Sequence, residues 1–170
     1  IKPLRQAVEA SEGDSRAIKR LFSQDQFASL YTHIYTMCTQ KAPHNWSGKL
    51  YFEYRKSIAA YLKKVSLAAI QRECDRAPGG GLDFDNASPR AAEAVLQAVD
   101  QQWQNHRVLD LWGRKFFNYL NRFYVQRLAV DSLETIALKS FKENVFDVLK
   151  EQITGAFCCV VSHERMFSAV

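Results

Sequence analysis

Phe27, Leu30, Tyr31, Ile34, Tyr35 and Cys38 fall at i, i+3, i+4, i+7, i+8 and i+11. That spacing draws one broad apolar stripe along an α-helix and fits no strand. It predicts a helix over 25–39, with Asp25 as its N-cap. The same period returns through Leu50, Tyr51, Tyr54, Ile58, Tyr61, Leu62, Val65, Ala69 and Ile70, in a helix over 47–75 capped by Ser47. With only 7 Gly and 4 Pro in 170 residues, turns must be few and helices long. Pro43 marks a turn over 41–45, and Pro78 with Gly79, Gly80 and Gly81 marks a loop over 77–87. A helix over 4–22, interrupted at Gly13, precedes the first stripe. Ser88 and Pro89 restart a helix over 89–106, as a cap followed by proline at the first helical position. A change of direction is expected near Asn105–Leu109, and then a densely aromatic helix over 109–127. Its apolar residues lie on more than one face, so it is either central in a bundle or turned toward a partner as well. Asp131 heads a capping box with Glu134, opening a final helix over 132–164. The class is all-α.

Hydrophobic residues make up 47% of the chain, enough for a packed core. No apolar run approaches the roughly 20 residues that cross a bilayer as a helix. Net charge is +5, from 23 Lys and Arg against 18 Asp and Glu. The basic residues occur in ones and twos, as at Lys19-Arg20, Lys63-Lys64 and Arg114-Lys115, and form no stripe for a nucleic-acid backbone. A mixed solvated surface is the simpler reading, with acidic proteins favoured on encounter. A basic helical module that binds RNA or an anionic membrane is the competing one.

Cys38, Cys74, Cys158 and Cys159 form no CxxC pair and no zinc spacing. Reduced, mostly buried thiols are expected, Cys158 among them, with no metal and no cofactor. No HExxH, GxSxG, GxxxxGK[ST] or GxGxxG occurs. His33 is expected on a helix surface with no carboxylate three or four residues away, and His163 at a solvated helix end. A non-catalytic protein is the expectation, with no catalytic residue to name.

A further pattern lies in the order of short motifs. Leu30-Tyr31-Thr32-His33-Ile34-Tyr35-Thr36-Met37-Cys38-Thr39 resembles the second helix of a cullin N-terminal domain. Leu50-Tyr51, Tyr54 and Tyr61-Leu62 resemble positions of its third helix, and Trp103-Gln104-Asn105-His106 the end of its fourth. Tyr119-Leu120-Asn121-Arg122-Phe123-Tyr124-Val125 resembles its fifth. Phe141 and Glu164-Arg165 follow in order. Each motif is weak alone; the ordered set, from about 21 to 165, is specific.

The resemblance implies a five-helix cullin repeat over 1–130 and the start of a second repeat over 131–170, cut from a helical array. It implies a rigid scaffold of a multisubunit ubiquitin ligase, working in the cytoplasm and nucleus. Its partner would be a Skp-type adaptor carrying an F-box substrate receptor. A RING protein would be held only by a C-terminal half absent from these residues. Neither nucleic acid nor membrane is implied. The adaptor face of the family comes from the second and fifth helices. By matching motif it falls on Phe27, Ala28, Tyr31 and Tyr35, and on Asn118, Tyr119 and Arg122. Phe27, Tyr31 and Tyr35 repeat at i, i+4 and i+8, so they form one ridge.

The rest of the stripe must pack the bundle. Leu30, Ile34 and Cys38 are expected in the core, as are Phe116, Phe117 and Phe123; Tyr35 could serve either role. The indole of Trp112 should find a polar partner or lie partly exposed. The run Tyr35–Lys41 and the turn after it resemble the plant-type class that binds Skp-type adaptors. A class that binds BTB adaptors competes, but usually carries an acidic residue where Ala28 stands. Ala28 also departs from the larger apolar residue common in the Skp-binding class, and the glycine-rich loop is a further departure.

Overall fold

A computed structural model describes residues 22–77 and 89–168, with side chains placed through residue 165. The expected helix over 4–22 lies outside them except for Phe22, as does the loop over 77–87 except for Ala77; the Ser88 cap also lies outside. All regular structure among the described residues is helical.

Helix α1 spans Gln24–Thr39. Its N-cap is Ser23, two residues before the expected Asp25. The Ser23 hydroxyl accepts from the Gln26 amide at 3.2 Å, and the Gln26 side chain accepts from the Ser23 amide at 2.9 Å. That reciprocal pair satisfies two free donors at once. Asp25 sits in the first turn instead, where its charge favours the positive helix end. Asn45 closes the corner after α1. Its Nδ2 donates to the carbonyls of Cys38 (2.7 Å) and Gln40 (3.2 Å), and its Oδ1 accepts from the Ser47 amide at 3.0 Å. Asn45 therefore does the capping expected of Ser47. Ser47 lies inside the next helix, its buried hydroxyl donating to the Cys38 carbonyl at 3.4 Å.

Helix α2 (Ser47–Tyr61) continues through a π-helical segment, Leu62–Leu67, into α3 (Ala68–Arg76). The chain turns extended at Ala77, as the residue before a proline tends to. Helix α4 spans Pro89–Phe116 without a break. The helix runs on through Asn105–Leu109, where a change of direction is expected from the sequence; no glycine or proline lies there to interrupt the ladder. Asn105 and His106 are polar yet buried, and they only dilute the apolar pattern. Past a turn at Phe117, a π-helical segment (Leu120–Tyr124) leads into the short α5 (Val125–Leu128). Ala129 ends it in the left-handed region, φ 51°.

Helix α6 spans Leu133–Phe141. Its cap is Ser132, whose hydroxyl accepts from the Thr135 amide at 3.0 Å. Asp131, the expected cap, pairs instead with Lys139 at 2.8 Å. The single helix expected over 132–164 is interrupted. A π-helical segment (Lys142–Phe146) and a turn separate α6 from α7 (Lys150–Ser168). The Asp147 amide donates to the Lys142 carbonyl at 2.8 Å, and the two side chains pair at 2.6 Å across the wider turn.

The chain divides into two compact units: residues 1–60 with 104–140, and 61–103 with 141–170. The first buries Cys38, Tyr54, Ile58, Leu109, Trp112, Phe116, Leu120, Leu133 and Ile136. The second buries Tyr61, Leu62, Ile70, Cys74, Ala92, Val95, Phe141, Val145 and Leu149. In the second unit the Trp103 ring meets Phe141 edge-on at 4.9 Å, which gives two of the aligned motif residues a packing role.

His106 belongs to the first core at 1% exposure, with its Nε2 donating to the Ala137 carbonyl at 2.9 Å. Burial lowers its pKa below the ordinary 6.5, and the carbonyl only partly offsets this. The unfolded chain therefore takes up the proton first as pH falls. The stability linked to neutral His106 is complete above about pH 6.5 and declines below it. Denaturant midpoints between about pH 7.5 and about pH 5 should fall in the parent protein. They should fall less steeply in His106→Gln; equal slopes would show that His106 does not govern this window.

Candidate functional site

The first unit holds all seven residues singled out in the sequence. Along α1, Phe27 stacks on Tyr31 at 6.2 Å between ring centroids, and Tyr31 on Tyr35 at 6.4 Å, with interplanar angles of 19° and 22°. The i, i+4, i+8 spacing thus becomes a near-parallel ladder of rings. Its lower end meets Phe116 at 5.2 Å and Trp112 at 6.3 Å. Its upper end turns onto a second element, where Tyr35 meets Tyr119 edge-on at 5.0 Å. Tyr119 packs on Phe123 at 4.6 Å, and the Arg122 guanidinium lies over the Phe123 ring at 5.8 Å. Edge-on and offset ring pairs of this kind favour a fixed geometry over a merely greasy surface.

Beside the ladder runs a groove of about 500 Å³, lined by Phe27, Tyr31, Leu111, Arg114, Lys115 and Asn118. Three of these were legible in the sequence. Leu111, Arg114 and Lys115 were not singled out, although Leu111 and Lys115 stand at i and i+4 on one face of α4. Ala28 is exposed on α1, about 100° round the helix from Phe27. Asn118 and Arg122 are exposed; Phe27, Tyr31 and Tyr119 are half-buried.

Two expected core residues are instead on the surface. Leu30 is 42% exposed and Phe123 54%. Burial on α1 is strongest near its C-terminal end, at Cys38, where the Asn45 corner closes over it; Leu30 lies two turns earlier. Phe123 falls in the π-helical segment, whose extra residue per turn rotates it off the buried face of Leu120. Tyr35 is 43% exposed, which makes it a surface ring braced by Tyr119. Trp112 is buried, with Phe22 edge-on at 5.1 Å and the Lys115 ammonium 4.7 Å over its ring.

The charged groups of the groove are ordered from beneath. Arg114 pairs with Asp110 at 2.9 Å and reaches Glu134 at 3.5 Å. Burial raises the Asp110 pKa above the ordinary 3.8, and Arg114 opposes that shift. The Tyr54 hydroxyl, buried near both, is pushed well above its ordinary value, chiefly by burial and then by the Asp110 charge.

As for other chemistry, no group of three or more metal-capable side chains occurs among the described residues. Burial raises the Cys38 and Cys74 thiols, which disfavours the reactive thiolate. Cys158, expected to be buried, is exposed on α7. His33 is exposed as expected, its Nδ1 at 2.6 Å from the Ser29 carbonyl. No helix among the described residues is long and apolar enough to cross a membrane.

The profile of the cullin alpha solenoid domain matches residues 10–170. Over 144 residues, 85% of this chain, the sequence is 31% identical to Cullin-1 of Oryza sativa subsp. japonica. Over the same length it is 28% identical to "Putative cullin-like protein 1" and to Cullin-2, both of Arabidopsis thaliana. The chain spans 17 to 18% of the length of these three relatives. No solved structure matches it. The ordered motifs, the helical architecture and a match over nearly all its residues agree: the chain belongs to the cullin family.

Proposed function

We propose that this domain is the adaptor-gripping end of a ubiquitin ligase scaffold. It binds a Skp-type adaptor, and through it an F-box substrate receptor, for ubiquitin-dependent protein degradation. The observation that carries the reading is the ring ladder Phe27–Tyr31–Tyr35 braced by Tyr119, with an open groove beside it. Large rings held in fixed geometry, with polar hydroxyl edges and a neighbouring arginine, are the make-up of an interface hot spot. The contact face is then Phe27, Ala28, Tyr31, Tyr35, Asn118, Tyr119 and Arg122, joined by Leu111 and Lys115. The domain acts without catalysis of its own. It comprises a first cullin repeat over 1–130 and the opening of a second over 131–170. A RING protein would be carried by other parts of the scaffold, which would work in the cytoplasm and nucleus.

The run Tyr35–Lys41, which resembles the Skp-binding class, favours the Skp-type partner; Ala28 lacks the acidic group usual where BTB adaptors bind, and also the larger apolar side chain common in the Skp-binding class. Calorimetric titration against a purified Skp-type adaptor, with a BTB adaptor as control, tests this. Binding to the first alone is expected. Binding to the BTB protein alone would overturn the class, and binding to neither would overturn the adaptor role.

A further inference from the structure

The groove beside the ladder has a chemistry of its own. Phe27 and Tyr31 give it aromatic surface, and Leu111 adds aliphatic surface. The remaining lining groups are Arg114, Lys115 and Asn118. Among the described residues no carboxylate lines it: Asp110 and Glu134 lie on Arg114, where they fix the guanidinium. Arg114 is thereby held as a rigid donor, and its buried Nε makes no hydrogen bond among the described residues. The Lys115 ammonium lies over the Trp112 ring, 4.7 Å from its centroid. No carboxylate comes within ion-pair distance of it among the described residues, in contrast to Lys139 and Lys142, which have Asp131 and Asp147. An apolar slot whose charged lining is cationic complements an apolar side chain with an acceptor-only group next to it. A lysine or arginine brought there would meet the Lys115 ammonium, whereas the Arg114 charge is already offset by Asp110 and Glu134.

We infer that Lys115 makes this groove selective for a carboxylate set beside an apolar side chain on the docking adaptor. The inference rests on the adaptor reading above and names the chemistry that the adaptor must present. An ammonium already parked over an aromatic ring is pre-oriented, so little further ordering is needed when the acidic group arrives.

The test is titration of the Skp-type adaptor against the parent protein and against Lys115→Glu, Lys115→Gln and Lys115→Arg. Each is measured at about 50 and about 300 mM salt, spanning weak and strong screening. Lys115→Glu should weaken binding about tenfold or more, and Lys115→Gln by about threefold to fivefold. Lys115→Arg should stay within about twofold, and the salt dependence should shrink in Lys115→Gln. Lys115 is exposed, so melting temperatures should be unchanged and an unfolded variant would not be mistaken for a lost contact. Parent binding with Lys115→Glu equally tight would overturn the carboxylate inference and leave the adaptor reading standing. Absence of parent binding to either adaptor type would overturn the adaptor reading, and this inference with it.

Discussion

Gly113→Val should cost about 3 kcal/mol of stability, seen as a fall in melting temperature of roughly 6 to 12 °C. Gly113 lies inside α4, where glycine is about 1 kcal/mol worse than alanine. On helix propensity alone, any replacement here should help. The packing opposes that. A Cβ on Gly113 would stand 2.8 Å from Tyr54 Cε2 and 2.9 Å from its Oη. The Tyr54 ring is 2% exposed and held edge-on by Phe117 at 5.5 Å, so it has no room to swing aside. Even Gly113→Ala should therefore destabilise. Tyr54→Phe should be nearly neutral alone, because its buried hydroxyl makes no hydrogen bond among the described residues. Combined with Gly113→Ala it should recover part of the loss, since it removes one of the two closest contacts. Chemical denaturation of the four proteins checks this, and a more stable Gly113→Ala would refute the close-packing account.

That contact illustrates what the sequence could and could not carry. The stripe from Phe27 to Cys38 predicted α1 within a residue of its ends, because apolar periodicity reports directly on which face is buried. Caps were read one or two positions off. Asp25, Ser47 and Asp131 are all competent caps by type, yet Ser23, Asn45 and Ser132 do the work. Side-chain type alone does not choose among neighbours that could all cap; the path of the chain before the helix does.

The π-helical segments left no trace in the pattern either. Phe141, Val145 and Leu149 are all buried and stand four apart, as they would in an unbroken helix. The widened turn between them is therefore invisible to spacing. The same blindness misplaced Phe123. At the site, the ridge on α1 was legible from spacing, and the residues on the facing element came from family resemblance. Leu111 and Lys115 escaped both routes. They match no quoted motif, and their helix carries apolar side chains on more than one face, so periodicity could not say which of them line an open groove. A clash such as Gly113 against Tyr54 joins residues 59 positions apart and needs three-dimensional packing to be seen.

Tyr31→Ala is the substitution expected to damage adaptor binding most, by about 1 to 4 kcal/mol. Tyr31 is the middle rung of the ladder, with stacked neighbours on both sides and a place in the groove lining. Removing it deletes apolar contact area and also frees Phe27 and Tyr35 from the ring that aligns them. Half-buried and outside the main core, it should cost less in folding than in binding. Tyr31→Phe separates area from polarity. If the hydroxyl only borders the interface, Phe should bind within a few-fold of the parent; if it donates to the adaptor, Phe should lose about 1 kcal/mol. Phe123→Ala is the informative contrast. Phe123 is more exposed than Tyr35 but reaches the ladder only through Tyr119, so its loss should weaken binding less than that of Tyr31. Titration of the three variants, with melting curves to show that each is folded, ranks them. A folded Tyr31→Ala with parental affinity would mean that the adaptor docks elsewhere and that the ladder serves the domain's own packing.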